Sequence, residues 1–231
     1  MLENGNKNLN SLKNNTNLNQ SHEVALYKTI YELRIILVGD SGVGKTSLVN
    51  RFMGNDFQEN NECTINVDFK IKTISSSSSI GAELKIFDTC GQEKYISTTR
   101  QYFKGTHGIV LVFDVCDLQS FKNLSNWMKE IKNNSDINPE IILVANKIDL
   151  EDRKVSKETG KKFADKNNIM YVETSCKKGI NIDSPFEKLA NAWVNKIKEN
   201  PDNYINNTII NIKNYGEKDI EKIREKDVKC C

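Results

Sequence analysis

Residues 39–47 read Gly-Asp-Ser-Gly-Val-Gly-Lys-Thr-Ser and fit the phosphate-binding pattern G-x-x-x-x-G-K-[ST]. Backbone N–H groups of such a loop point inward at phosphate oxygens, beside the positive end of a helix. Lys45 would reach the β- and γ-phosphates of a nucleotide, and the hydroxyl of Thr46 would bind Mg²⁺. An ordinary glycine turn is the alternative, but an apolar strand precedes the loop and helical spacing follows it. The predicted nucleotide contacts are Ser41, Gly42, Val43, Gly44, Lys45, Thr46 and Ser47.

A second motif, Asn146-Lys147-Ile148-Asp149, indicates which base is bound. It follows an apolar run, so it lies at the carboxyl end of a strand, where open α/β sheets bind ligands. Asp149 can accept hydrogen bonds from N1–H and the N2 amine of guanine, and adenine offers neither donor. A site built around such bonds rejects an analogue that lacks them by roughly 10⁴-fold or more. Alone, the motif fits a solvated turn equally well; behind a strand and after a phosphate loop, it favours guanine.

A third segment, residues 173–177, reads Glu-Thr-Ser-Cys-Lys and follows the apolar strand 169–172. Backbone N–H groups around Cys176 could bind the carbonyl oxygen of guanine. Ser175, Cys176 and Lys177 therefore join Asn146, Lys147 and Asp149 as predicted nucleotide contacts.

Residues that could sense a third phosphate lie in the segment 88–93, Asp-Thr-Cys-Gly-Gln-Glu, which follows a strand with alternating apolar residues. Asp88 is placed to hold Mg²⁺, through water. The N–H of Gly91 can bind the γ-phosphate, and Gln92 can orient the attacking water.

Thr64 could bring a second hydroxyl to the metal, because it lies in a candidate flexible loop 18 residues after Thr46. Taken alone, it is equally well explained as a threonine at a strand edge. The predicted metal ligands are Thr46, Thr64 and Asp88.

The elements that must position these residues follow from periodicity. Apolar runs near residues 33, 84, 109, 141 and 169 alternate with helix-like stretches near 47, 120, 157 and 186. This alternation predicts one doubly wound α/β domain. Two helices carry apolar stripes that we interpret as core packing, formed by Phe121, Leu124, Trp127, Met128 and Ile131 and by Phe186, Leu189, Ala190 and Trp193. His22 and His107 are expected to be incidental surface or loop residues.

With these motifs in this order, the sequence resembles the Ras superfamily of small GTPases, and within it the Rab family, over about residues 30–198. The Rab resemblance rests on four segments: Thr-Ile-Asn-Val-Asp-Phe at 64–69, Asp-Thr-Cys-Gly-Gln-Glu-Lys-Tyr at 88–95, Tyr-Phe-Lys-Gly at 102–105, and the terminal Cys230-Cys231. It implies a three-layer P-loop GTPase fold, with a mostly parallel six-stranded sheet and helices on both faces. The implied function is a GTP/GDP switch that hydrolyses GTP slowly and regulates vesicle traffic.

The resemblance also implies individual roles. Phe57 would lie against the guanine, Thr46 and Thr64 would be direct Mg²⁺ ligands, and Gln92 would be the catalytic glutamine. An aromatic triad would face effectors, and the terminal cysteines would carry geranylgeranyl groups; these residues are Phe69, Phe87 and Tyr102, and Cys230 and Cys231. Implied partners are a guanine exchange factor, a GTPase-activating protein, effectors, a prenylation escort and a dissociation inhibitor.

Four features depart from the Rab pattern. Asn66 stands where glycine is usual, Cys90 where alanine is usual, and Phe87 where tryptophan is usual. A run of five serines, 75–79, occupies the predicted hairpin between the second and third strands. None of the four removes a nucleotide contact.

The segments outside the core give the domain boundaries. We expect a disordered Asn-rich extension at 1–28, a small GTPase domain at 29–198 and a flexible tail at 199–231. The tail is nearly balanced in charge, so lipid on the cysteine pair would dominate membrane attachment. Localisation is predicted at the cytosolic face of an intracellular membrane, with cycling through the cytosol. A net charge of +2 without a basic stripe gives no indication of nucleic-acid binding.

Two alternatives stay open from the residues alone. One is a scaffold that binds GTP and hydrolyses it negligibly, because Asn66 and Cys90 disturb the switches. The other is a P-loop kinase or ATPase, which ATP competition against bound GDP would reveal.

Overall fold

The computed structural model describes residues 29–59, 67–77, 80–89, 100–199 and 212–214. Its centre is a sheet with the strand order β2-β3-β1-β4-β5-β6. β2 is antiparallel to β3, and the other neighbours along this path are parallel. The predicted six-stranded, mostly parallel sheet is therefore confirmed. The strands are β1 (Thr29–Val38), β2 (Asp68–Ser77), β3 (Ile80–Asp88), β4 (Gly108–Asp114), β5 (Glu140–Asn146) and β6 (Met170–Glu173).

A seventh strand, β7 (Ile212–Asn214), joins this sheet and was not predicted. It pairs antiparallel with the first three residues of β1, from Thr29 to Tyr31. β1 meets β4 only from Ile35 onward, so the start of β1 has a free edge on that side. Three residues are too few to give a period-2 signal, and the strand lies within the range we predicted as a flexible tail.

Within the described ranges, four helices cover the sheet: α1 (Lys45–Phe52), α2 (Leu118–Asn134), α3 (Lys157–Lys166) and α4 (Ser184–Glu199). Two of them begin at side-chain caps, as expected for helix N-termini. Asp117 accepts a hydrogen bond from the N–H of Gln119 at the start of α2, and Ser156 accepts one from Thr159 at the start of α3. The helical stretches predicted near 47, 120, 157 and 186 are thus all present.

Each face of the sheet carries its own hydrophobic core. α1 and α4 pack on one face, where the rings of Phe52 and Phe186 stack with centroids 3.9 Å apart. α2 and α3 pack on the other face, through Leu124, Trp127 and Ala164 among others. All seven residues of β4 are buried, because helices cover both of its faces. This three-layer arrangement confirms the predicted fold and puts the ends of β1, β3, β4, β5 and β6 at one edge.

His107 is a buried structural residue, and the expectation that it is incidental was wrong. Its Nδ1 accepts a hydrogen bond from the backbone N–H of Arg34 at 2.9 Å. Its ring meets the edge of Trp193, with centroids 5.1 Å apart, and its carbonyl accepts from the Trp193 indole. His107 therefore joins the start of β4 to β1 and α4. His22 lies outside the described residues.

Candidate functional site

A cavity of about 320 Å³ opens at the carboxyl edge of the sheet. It is lined by most of the predicted nucleotide contacts, namely Ser41, Gly42, Gly44, Lys45, Thr46, Ser47, Phe57, Asn146, Lys147, Asp149, Cys176 and Lys177. Gln58, Glu59, Thr89 and Leu150 also line it and were not predicted. The structure therefore brings five segments distant in sequence to one pocket, including the phosphate loop and both predicted base-binding segments.

The phosphate loop depends on glycine at its last turn. Gly44 has φ +98°, a left-handed conformation, immediately before α1 begins. A Cβ at this position would lie 2.3 Å from Nδ2 of Asn146. The loop therefore passes too close to the Asn146 side chain for any residue larger than glycine, and α1 begins with its N–H groups at the cavity.

Lys45 carries its charge into the interior of this loop. The residue is 5% exposed, and its ammonium donates to the carbonyls of Gly39 and Asp40 at 2.8 and 2.7 Å. A buried cation needs oxygen partners, and a phosphate would add strong ones. The position fits the role predicted for Lys45.

Thr46 and Asp88 form a small oxygen cluster where β3 ends. The Thr46 hydroxyl donates to Oδ2 of Asp88 at 2.6 Å. Burial raises the pKa of Asp88, and the hydrogen bond from Thr46 partly offsets this effect. Oδ1 of Asp88 is buried and has no hydrogen-bond partner among the described residues. An orphaned carboxylate oxygen beside a hydroxyl fits a hard cation such as Mg²⁺.

Asn146 ties the phosphate loop to both base-binding segments. Its Nδ2 donates to the carbonyl of Val43 in the phosphate loop at 2.9 Å. Its Oδ1 accepts from the hydroxyl of Thr174 at 3.0 Å and from the thiol of Cys176 at 3.5 Å. Asn146 is 1% exposed, so these bonds form in a dry environment. The side chain acts as a brace between loops as well as lining the cavity.

Lys147 and Asp114 form an ion pair beside the phosphate loop, with Nζ 2.7 Å from Oδ2. Lys147 has φ +67°, which is uncommon for a residue with a side chain, so its neighbours hold it there. Asp114 ends β4 and was not predicted as a site residue. Its position at the carboxyl end of a buried strand was the available signal.

Asp149 is oriented by Ser175, whose hydroxyl donates to Oδ1 at 2.6 Å. The Ser175 Oγ in turn accepts from the N–H of Lys178 at 3.0 Å. The side chains of Ser175 and Val43 are buried and do not line the cavity. A ligand contact at either position would therefore use backbone groups rather than the side chain.

Cys176 sits in the wall of the cavity and is 3% exposed. Burial raises the pKa of its thiol to about 11, so the group is neutral at physiological pH. At the rim, Lys177 and Glu59 form an exposed ion pair of 2.8 Å across the cavity mouth. This pair was not predicted, because 118 residues separate its members.

The three predicted effector-facing aromatics form one cluster. The rings of Phe69 and Phe87 have centroids 5.0 Å apart, and those of Phe87 and Tyr102 are 5.5 Å apart. Phe69 is 45% exposed, so the cluster reaches the surface. The guanidinium of Arg34 lies 4.4 Å from the Phe87 centroid, a cation–π contact that was not predicted. Phe87 thus contacts both partner rings, although tryptophan is usual at its position.

Several predicted residues lie outside the described part of the chain. They are Thr64, Asn66, Cys90, Gly91, Gln92, Cys230 and Cys231. Within the ranges that are described, no helix combines the length and the apolar character needed to cross a bilayer.

The family of this chain follows from its similarity to known proteins. A sequence model described as "Ras family" matches residues 34–196. Rab-13 of Rattus norvegicus is 42% identical over 158 residues, covering 68% of this chain and 77% of the relative. The chain belongs to the Rab family of Ras-superfamily small GTPases. This Rab GTPase is also similar to SEC4 of Candida albicans, at 42% identity over 73% of this chain and 80% of the relative. RABD2c of Arabidopsis thaliana is 40% identical over 74% of this chain and 85% of the relative.

Family membership confirms the predicted activity and general function. Proteins of this family hydrolyse GTP, and a GTP/GDP switch in vesicle traffic is their general role. The kinase or ATPase alternative is therefore wrong. Membership also implies that the protein binds GTP and GDP and acts together with regulators and effectors.

Proposed function

We propose that the cavity holds GTP or GDP with Mg²⁺, and that the described site residues divide into phosphate, metal and base contacts. Lys45 and the N–H groups of the phosphate loop bind the phosphates. Asp149 binds guanine, and Phe57 lies against its ring. The observation that carries this assignment is the brace at Asn146, because one buried amide joins the phosphate loop to both base-binding segments.

Thr46 and Asp88 would hold Mg²⁺, with Thr64 as a further ligand. The buried Oδ1 of Asp88, which has no hydrogen-bond partner among the described residues, supports this role. Burial raises the pKa of Asp88, and a bound cation would offset that cost to the charged carboxylate. Bound Mg²⁺ would neutralise charge on the β- and γ-phosphates. Thr46 lies in the first turn of α1, so its hydroxyl would stay near the phosphates in either nucleotide state.

Guanine selectivity would come from the Asp149 carboxylate. The Ser175 hydroxyl occupies one lone pair of Oδ1, which leaves the carboxylate with further lone pairs that can accept hydrogen bonds. Asp149 lines the cavity, so a ligand there could donate to them. Guanine supplies two N–H donors to it, whereas adenine supplies none there and leaves a desolvated carboxylate unpaired. The N–H groups near Cys176 would bind the guanine carbonyl.

Switching would depend on the segments that carry Thr64 and Gly91. With GTP, contacts to the γ-phosphate and the metal hold both segments, and hydrolysis removes those contacts. The aromatic cluster would respond to this change, because Phe87 directly precedes Asp88 in β3. Effectors would therefore recognise Phe69, Phe87 and Tyr102 in the GTP state.

Hydrolysis would use Gln92 to orient the attacking water. None of the residues that line the cavity in the described ranges is an arginine. An arginine side chain from an activating protein would supply the missing positive charge. GTP hydrolysis by this protein without an activating protein would therefore be slow. We expect a rate on the order of 10⁻⁴ s⁻¹, the scale typical of Ras.

Attachment to the cytosolic face of an intracellular membrane would use geranylgeranyl groups on Cys230 and Cys231. Two lipid chains give stable anchoring, whereas one gives marginal binding. An escort protein would present the tail for prenylation, and a dissociation inhibitor would return the protein to the cytosol. An exchange factor would load GTP.

Competition between nucleotides tests the assignment of the base. GDP should displace a fluorescent GDP analogue, and ADP should bind roughly 10⁴-fold more weakly. IDP keeps N1–H and lacks the N2 amine, so it should bind about 10- to 100-fold more weakly than GDP. ADP that competes within tenfold of GDP would overturn the role of Asp149.

A double substitution, Cys230→Ser with Cys231→Ser, tests the lipid anchor. In cells the variant should move from the membrane fraction to the cytosol, because both attachment sites are lost. Cys116→Ser is the matched control, since this thiol lies in the folded domain and should leave fractionation unchanged. Continued membrane association of the double variant would contradict prenyl anchoring.

A further inference from the structure

Asp40, the second residue of the phosphate loop, has a side chain that the nucleotide chemistry does not use. Both of its carboxylate oxygens accept hydrogen bonds from α2, and the residue does not line the cavity. Oδ1 accepts from the indole N–H of Trp127 at 2.8 Å, and Oδ2 accepts from Nδ2 of Asn123 at 2.7 Å. The two donors are four residues apart, so they lie on one face of the helix.

The orientation of the Asn123 donor is itself set by a neighbour. Gln119, one turn earlier, donates from Nε2 to Oδ1 of Asn123 at 2.8 Å. With its oxygen occupied in this way, the amide of Asn123 presents its nitrogen to Asp40. Gln119 and Asn123 thus form a chain of hydrogen bonds that ends on the Asp40 carboxylate, while Trp127 donates to that carboxylate directly.

The main chain of the same residue contacts Lys45. The carbonyl of Asp40 accepts from the Lys45 ammonium at 2.7 Å, while the carboxylate of Asp40 faces α2. An acidic side chain in a phosphate loop repels phosphate and competes for the lysine. A carboxylate is also a stronger partner for an ammonium than a carbonyl is.

We propose that Asn123 and Trp127 are positioning residues of the nucleotide site, acting through Asp40. They hold the Asp40 carboxylate on α2, away from Lys45, and so keep the ammonium available to nucleotide phosphates. The inference rests on the phosphate-binding role proposed for Lys45.

This role differs from core packing, which the sequence predicted for Trp127. Leu124 and Ile131 on the same helix fill the core without polar contacts to the loop. Asn123 is half-buried and belongs to neither hydrophobic core. A packing role would not require an amide at 123, or an indole N–H aimed at a carboxylate.

The test is a set of matched variants with fluorescent GDP. Asn123→Ala and Trp127→Phe each remove one donor, and the second keeps an aromatic ring in the core. Each is made with Asp40 present and in an Asp40→Asn background, where the competing charge is gone. Asn134→Ala is the control on the same helix, because its Nδ2 bonds to the carbonyl of Glu130 and not to the loop. Thermal unfolding verifies that every variant folds.

With Asp40 present, combining the two changes should weaken GDP binding by roughly tenfold, the scale of hydrogen bonds to a charged group. In the Asp40→Asn background the same changes should cost about twofold or less. Binding of GMP, which lacks the β-phosphate, should change little in either background. An equal loss of GDP affinity in both backgrounds would overturn the proposal, since a structural role does not depend on the Asp40 charge.

Asn123→Ala alone keeps the test decisive if the combined variant fails to fold. Its loss of GDP affinity should again disappear in the Asp40→Asn background. Lys45→Ala tests the underlying assumption separately. If Lys45→Ala retains full GDP affinity, the proposed phosphate role is wrong; if it loses GDP while the Asn123 effect is independent of Asp40, only this inference is wrong.

Discussion

Replacing Asn146 with alanine should disconnect the phosphate loop from the two base-binding segments. The change removes the donor to the Val43 carbonyl and the acceptor of the Thr174 hydroxyl. It also removes the weaker contact from the Cys176 thiol. All of these groups are buried, so water replaces the lost partner poorly.

The expected size follows from the groups left unpaired. A buried polar group without its partner costs about 1–3 kcal/mol, and two such groups remain after the substitution, at Val43 and Thr174. Part of this cost falls on folding and part on holding the loops in their binding arrangement. We expect GDP affinity to fall by roughly 100-fold, which corresponds to about 2.7 kcal/mol.

The assay combines GDP affinity with thermal unfolding of the GDP-bound protein. Asn167→Ala is a matched control, because it removes one side-chain bond of 2.8 Å to the Phe163 carbonyl at the end of α3. This control should lower stability slightly and leave GDP affinity unchanged. Binding by Asn146→Ala within threefold of the wild type would refute the bracing role. An equal loss in Asn167→Ala would show that general destabilisation explains the effect.

Three further predictions concern the same cavity. Gly44→Ala should abolish GDP retention during gel filtration, because its Cβ would lie 2.3 Å from Asn146. The Cβ of Gly42→Ala would meet nothing within 4 Å, so this variant should be destabilised only by its left-handed backbone conformation, at a cost of about 1–2 kcal/mol. Equal losses in the two alanine variants would contradict the steric reasoning. Asp149→Asn should bind XDP more tightly than GDP in competition assays, because the amide donates to the second carbonyl of xanthine; an unchanged preference for GDP would count against direct contact. Cys176 should resist iodoacetamide at pH 8 in the nucleotide-bound protein, since a pKa of about 11 leaves roughly 10⁻³ of it as thiolate; rapid labelling by peptide mass spectrometry would contradict this.

The parts of the site that could be predicted are those whose residues belong to short, continuous sequence motifs. Lys45 and Thr46 are fixed by the loop and helix that contain them, and Asp149 by the strand that precedes its motif. Local backbone geometry alone carries such residues to the carboxyl edge of the sheet.

The parts that escaped prediction are pairings between distant residues. Asp40 and Trp127 are 87 residues apart, and Glu59 and Lys177 are 118 apart. Periodicity predicts that Trp127 faces the core, but it does not reveal which polar group its N–H meets. The buried structural role of His107 was missed for the same reason, because its partner Arg34 lies on β1, 73 residues away in sequence.

The fold shows the same division. Apolar runs that alternate with helical stretches predicted β1, β3, β4, β5 and β6, and the resemblance implied helices on both faces of their sheet. β7 was missed because three residues carry no usable pattern, and its place depends on the free edge of β1. Phe87 could be named as part of the aromatic cluster, whereas the Arg34 contact behind it depends on the parallel pairing of β1 with β3.

The most direct test of the account is single-turnover hydrolysis of bound GTP, with the wild type compared to Gln92→Leu. A broad-specificity Rab activating domain should accelerate hydrolysis by the wild type about 10³-fold or more. Gln92→Leu should bind GTP equally well and lose this acceleration. Tight GTP binding without hydrolysis in either protein would contradict the account and favour the locked scaffold, with Asn66 and Cys90 as the residues to revert.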